Sequence, residues 1–221
     1  MCLFIFNSLE EKPLIQIDIN SWPRKNHYLL FKDYLNPFFN ICANIEITNL
    51  INYSKRKGLP FFATFLFYVM KVINRTPEFR YRIRTDGVVL HDIVHPSYTV
   101  MTDELLFRFV TTFFTNNIDE FIANVTIDIA NSKKTVSLED IDGVDDLIYV
   151  SSLKWLSFTS VSHPYDNKKA DSFPRVTWGK YFSENGKILI PLSVAVNHAL
   201  CDGEHVAVFF NDLQKEISLL N

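Results

Sequence analysis

His198 stands four residues before Asp202-Gly203, and this spacing is the chain's strongest candidate for chemistry. The apolar run Ile188 to Val196, broken once by Pro191, reads as a buried strand that ends just before the histidine. Beyond the Asp-Gly turn, roughly Glu204 to Leu219 repeats apolar residues at helical spacing in Val206, Phe209, Phe210, Leu213 and Ile217. An imidazole at such a strand-to-helix corner is held by rigid elements and open to a substrate. A neutral imidazole with a pKa of about 6.5 can take the proton of an alcohol as it attacks a carbonyl. A histidine that simply satisfies its hydrogen bonds at a strand end is the plainer alternative. Asp202 admits a triad-like reading, with its carboxylate orienting His198. Cys201 could be a thiol nucleophile, but a base that activates the acceptor directly needs no acyl-cysteine, and a small buried apolar role is the simpler one. His205 falls on the helix and reads as structural. His91 and His95 show no metal-ligand spacing.

The elements that must position this corner alternate along the chain. Strands are expected over Leu14–Ile19 and Phe38–Thr48, with a short helix over Lys25–Tyr34 between them. A longer helix runs from Pro60 to about Asn74, where Thr76-Pro77 stops it. Two strands cross Asp86-Gly87 as a hairpin within Arg80–Leu90. Strands at Ser97–Met101 and Phe107–Thr112 precede a helix around Ile118–Ser132. A polar, acidic stretch, Lys133–Asp146, reads as a loop. Strands at Leu147–Ser151, Ser157–Ser160 and Arg175–Phe182 then lead to the Ile188–Val196 strand. Helices and hairpins intermingle, so the class is α/β with a mixed β-sheet.

With 221 residues, 48% hydrophobic and 20 Phe, the chain can bury a substantial core. A net charge of −3 gives no case for nucleic acid, and the densest basic cluster, Lys55-Arg56-Lys57, reads as a solvated loop more readily than a phosphate site. Six glycines form neither a Walker nor a dinucleotide loop. Cys2, Cys42 and Cys201 leave one unpaired in any disulfide scheme, which favours a cytoplasmic location. No run approaches the ~18 apolar residues of a membrane span.

Six blocks together resemble the chloramphenicol acetyltransferases of the CoA-dependent acyltransferase superfamily. NHALCDGEH (residues 197–205) is similar to the family's His-His-Ala-Val-Cys-Asp-Gly-Phe-His. Ser21 to Tyr28, Asn74 to Arg80, His95 to Val100, Val150 to Thr159 and Thr177 to Tyr181 resemble further family blocks, in order. The likeness runs from about Ile15 to the C-terminus, leaving residues 1–13 as an extension before one domain over 14–221. It implies a two-layer sandwich and an enzyme that moves an acetyl group from acetyl-CoA to a small-molecule hydroxyl. Chloramphenicol, and hence antibiotic resistance, is the implied acceptor, with acetyl-CoA a co-substrate and no permanently bound cofactor. His198 becomes the base, with its second ring nitrogen bonded to its own carbonyl. Ser151 falls at the oxyanion donor and Thr177 where a threonine holds a water. Arg24 and Asp202 become a supporting ion pair, Lys180 and Tyr181 lie near CoA, and Phe31, Phe39, Thr99 and Tyr149 line the acceptor pocket. The family assembles as homotrimers, so His198 of one subunit is expected to face Ser151 of the next.

The wording departs at Pro37, Arg108, Tyr149, Lys154, Ala195, Asn197 and Glu204, and through Val161–Arg175. Changes in pocket shape alter acceptor choice while leaving the chemistry in place. Two alternatives follow: a different small acceptor, or a non-catalytic binding module on the same fold.

Overall fold

The computed structural model describes residues 14–102, 106–132, 143–165 and 171–221. The 1–13 extension and most of the 133–146 loop lie outside them. The main sheet has seven strands in the order β2-β10-β8-β7-β5-β6, with a short strand, β9, also on β10. These are β2 (Phe38–Glu46), β5 (His95–Met101), β6 (Phe107–Thr111), β7 (Leu147–Leu153), β8 (Arg175–Gly179), β9 (Phe182–Glu184) and β10 (Lys187–Asn197). The β5-β7-β8 stretch is parallel and every other pair antiparallel, so the sheet is mixed, as expected.

Side chains alternate across these strands, and one face is apolar. Val176 and Trp178, Ile148 and Val150, and Leu192, Val194 and Val196 join a single buried cluster. Packed against them are α2 (Thr48–Lys57), α3 (Phe61–Ile73), α4 (Ile118–Ser132) and α5 (Gly203–Ser218). Helix α3 is buried nearly all round, as its FFATFLFYVMKVI sequence requires. Sheet and helices make the two layers. A smaller sheet, β1 (Leu14–Gln16), β4 (Gly87–His91) and β3 (Tyr81–Arg84), carries a separate minor core with α1 (Lys25–Phe31). Ala199 and Leu200, from the corner after β10, belong to that minor core.

Three expectations need correction. Ser157–Ser160 is not a strand; the neighbouring Leu156 carbonyl accepts one bond, from the Lys180 N–H at 2.8 Å, and alternation without a partner strand is not enough. Lys55-Arg56-Lys57 is not a loop but the last turn of α2, where cations suit the negative end of the helix. Gly58 then ends that helix in the left-handed region, φ 65°. Pro60 is the residue before α3, in an extended conformation, instead of a residue of its first turn.

Candidate active site

The corner after β10 is built from its own side chains. Asn197 is buried, and its Oδ1 accepts from the Ala199 N–H at 2.9 Å while its backbone carbonyl accepts from Leu200 and Cys201. That is an Asx-type turn, which gives the asparagine a structural task. Asp202 then stands at the helix start, and its N–H donates to His205 Nδ1 at 2.9 Å. His205 is therefore a capping residue, matching its structural reading.

Arg24 locks the corner from outside. Its Nε donates to the Ala199 carbonyl at 3.0 Å and its Nη2 to the His198 carbonyl at 2.7 Å. Both terminal nitrogens reach the Asp202 carboxylate, Nη2 to Oδ1 at 2.6 Å and Nη1 to Oδ2. The guanidinium holds the Asp202 carboxyl below its ordinary range, against the opposing effect of partial burial. A fork-shaped, permanently charged side chain suits this four-point clamp.

The His198 ring lies between two aromatic side chains. Phe31 stacks on it at 4.3 Å with planes 3° apart, and Phe39 packs at 4.7 Å and 46°. The His198 N–H donates to the Pro37 carbonyl at 2.8 Å, fixing the backbone as well. Nδ1 lies 3.1 Å from Asp202 Oδ1 but is not aligned for a hydrogen bond. The bond from Nδ1 to its own carbonyl, implied by the resemblance, is not formed; Arg24 occupies that carbonyl. A carboxylate near Nδ1 still favours the tautomer with the proton there, which leaves Nε2 free to act as a base. Cys201 is buried, and burial pushes its thiol well above the ordinary value, so it is no nucleophile.

The other candidates gather elsewhere. On the sheet face turned away from the helices, register aligns Cys42, Ser193, Thr177 and Ser151 across four adjacent strands. Ser151 and Thr177 open into a cavity of about 850 Å³, with Thr99, Tyr149, Lys180 and Tyr181 also in its wall. Phe61, Phe62, Phe107 and Phe109 supply apolar lining. Tyr181 packs edge-on against Phe61 at 5.6 Å. Gly179 is required by close approach: a Cβ there would lie 2.8 Å from Pro191 Cγ and 2.9 Å from the Leu156 carbonyl oxygen. His198, Phe31 and Phe39 are not among the residues lining this cavity. The acceptor-pocket residues therefore divide, Thr99 and Tyr149 with the hydroxyls and the two phenylalanines with the base.

Sequence reasoning missed three residues of the cavity wall. His163 Nε2 is 3.1 Å from Thr177 Oγ1. Arg175 lies with its guanidinium 4.6 Å from the Tyr165 ring, 4.9 Å from Phe38 and 5.8 Å from Tyr149, and pairs with Asp171. Trp155 is largely exposed at the rim. The only signal for the first two was that Val161–Arg175 departs from the family wording. Among the described residues no group of three His, Cys, Asp or Glu side chains could hold a metal.

A family model described as chloramphenicol acetyltransferase matches residues 13–214. The chain belongs to the chloramphenicol acetyltransferase family. Chloramphenicol acetyltransferases of Clostridium perfringens and Clostridium butyricum are 37% and 33% identical to it, each covering 90% of this chain and 92% of its own length. The Proteus mirabilis chloramphenicol acetyltransferase is 28% identical over 203 residues. A solved chloramphenicol acetyltransferase superposes with a TM-score of 0.82 at 25% identity, covering 92% of this chain and 99% of its own. The cubic core of a pyruvate dehydrogenase complex shares the fold, with a TM-score of 0.64 at 15% identity. Membership makes this an acetyl-CoA-dependent acetyltransferase, and the mixed sheet with one helical layer is the family's fold. Among the described residues no helix is long and apolar enough to cross a membrane.

Proposed function

We propose that the protein transfers the acetyl group of acetyl-CoA to a hydroxyl of chloramphenicol, which would confer resistance to that antibiotic. The observation that carries this reading is that one chain holds both a clamped, aromatic-flanked His198 and, apart from it, a cavity with Ser151 and Thr177 in its wall. His198 Nε2 takes the acceptor proton as the oxygen attacks the thioester carbonyl, and the tetrahedral oxyanion accepts a hydrogen bond from Ser151, supported by Thr177. Lys180, Tyr181 and the rim residue Trp155 lie along the path for CoA.

Because His198 does not line the Ser151 cavity of its own chain, the reading needs a second copy. A homotrimer in which each interface joins the histidine corner of one subunit to the cavity of the next completes three sites. A thiol-release assay with acetyl-CoA and chloramphenicol tests the chemistry. His198→Ala should lower turnover by about 10²–10⁴-fold, the usual contribution of a positioned base. Turnover equal to the parent's would reject the assignment. Refolding inactive His198→Ala and Ser151→Ala chains together should restore part of the activity, since some interfaces then hold two intact halves. No recovery in verified mixed oligomers, or a fully active monomer, would reject the shared site.

A further inference from the structure

His163 is a partly buried histidine in the wall of a mostly apolar cavity, and the reaction just proposed gives it no task. It lies between β7 and β8, where residues 156–165 form neither strand nor helix, and it reaches the hydroxyl of Thr177, next to Ser151 in the sheet register. Among the described residues the ring makes no other hydrogen bond, so one edge remains available to a ligand. Arg175, the other polar newcomer in this wall, does not compete for that part. Its guanidinium is enclosed by Phe38, Tyr149 and Tyr165 and neutralised by Asp171.

We infer that His163 is a specificity-determining residue for the acceptor, selecting alcohols that carry a second hydrogen-bonding group beside the hydroxyl to be acetylated. Two features support this. Burial and the nearby Arg175 charge hold the imidazole below its ordinary pKa, so it enters the pocket uncharged, able both to donate and to accept. A site built to hydrogen-bond a substrate group rejects the analogue that lacks it, because its own polar atom is then left without a partner. An apolar side chain at 163 would give shape without that discrimination.

The inference rests on the acetyl-transfer reading, and one set of assays separates the two. The probes are two aryl alcohols of matched size, one with an amide or second hydroxyl next to the reacting hydroxyl, the other with a methylene in its place. The parent should favour the polar alcohol in kcat/KM by about tenfold or more, the order expected of one well-placed hydrogen bond. His163→Leu and His163→Met should bring that ratio near one by raising the KM of the polar alcohol, while the KM for acetyl-CoA and the Tm hold. His163→Gln, which keeps a donor and an acceptor, should recover part of the preference. An unchanged ratio in both apolar variants would overturn the inference and leave acetyl transfer standing. So would an equal loss with both alcohols accompanied by a lower Tm, which marks a purely structural histidine. A parent that releases no CoA with either alcohol, or with chloramphenicol, would end the acetyl-transfer reading and this inference with it.

Discussion

The two halves of the proposed site are held by different forces. The histidine corner depends on charge: one guanidinium ties together two backbone carbonyls and a carboxylate, over a minor core of a few side chains. The hydroxyl half depends on register: Ser151 and Thr177 are placed by parallel pairing between two inner strands whose opposite face is the main core. Removing one side chain should therefore loosen the first half broadly. In the second half the same surgery should remove chemistry and leave structure.

Arg24→Ala should have the largest effect. It leaves the Asp202 carboxylate and two carbonyls without their donor. Arg24 is largely buried but about a third of the Asp202 side chain meets solvent, so the loss should be about 1–3 kcal/mol, below that of a fully buried pair. Thermal unfolding should shift down and activity should fall with it; an inactive variant as heat-resistant as the parent would break the comparison. The pair also has a pH signature. The Asp202 carboxyl is depressed below 3.8, so its stabilisation is complete above that value and fades as pH falls through the lowered one. Asp202→Asn should accordingly be less stable than the parent at pH 7, with the gap closing on acidification below about pH 4.

Ser151→Ala should come next, and in the opposite manner. The removal of one oxyanion donor costs about 10²–10³ in kcat, or ~2.7–4 kcal/mol of transition-state stabilisation. Its Tm should stay near the parent's, since Ser151 faces the cavity and not the main core. A large drop in Tm with kcat preserved would show that the hydroxyl half is held by side-chain contacts after all.

How far the sequence exposes this arrangement depends on the range over which each signal acts. Helix α4 runs over Ile118–Ser132 as its periodicity predicts, and β10 and α5 flank the His198 corner as drawn. These are local patterns with strong apolar spacing. Helix α2, TNLINYSKRK, passed unseen because half of its surface is polar and its apolar residues are few. The division of Phe31 and Phe39 from Thr99 and Tyr149 was beyond any local pattern, because it follows from how helix α1 and strands β2, β5 and β7, distant in sequence, are placed by the fold. His163 lies among residues 156–165, which form neither strand nor helix and have no periodicity to read; the departure of Val161–Arg175 from the family wording marks the stretch, and the distance to Thr177 singles out the residue.

Gly179→Ala probes the seam between register and cavity wall. The added methyl would meet Pro191 and the Leu156 carbonyl at under 3 Å, and a backbone oxygen cannot swing aside as a side chain can. A destabilisation of about 1–3 kcal/mol is expected for such overpacking. Because Leu156 follows the rim residue Trp155, the KM for acetyl-CoA should rise as well. An unchanged KM would mean that the Trp155 segment moves independently of the strand beneath it.

Ser193→Ala should have the smallest effect and makes the sharpest distinction. Ser193 sits in the same cross-strand row as Ser151, directly opposite Thr177, yet it does not line the cavity. Its hydroxyl instead donates to Asn40 Oδ1 at 2.6 Å, and Asn40 Nδ2 donates onward to the Val161 carbonyl at 3.2 Å. The variant leaves the Asn40 oxygen short of one donor, at a cost of about 1 kcal/mol. kcat should remain close to the parent's, because the lost hydroxyl reaches no reacting atom. A loss of kcat as deep as that of Ser151→Ala would mean that the whole row acts as one polar relay. Parent-like turnover with a slightly lower Tm would instead confine the chemistry to the two hydroxyls that open into the cavity.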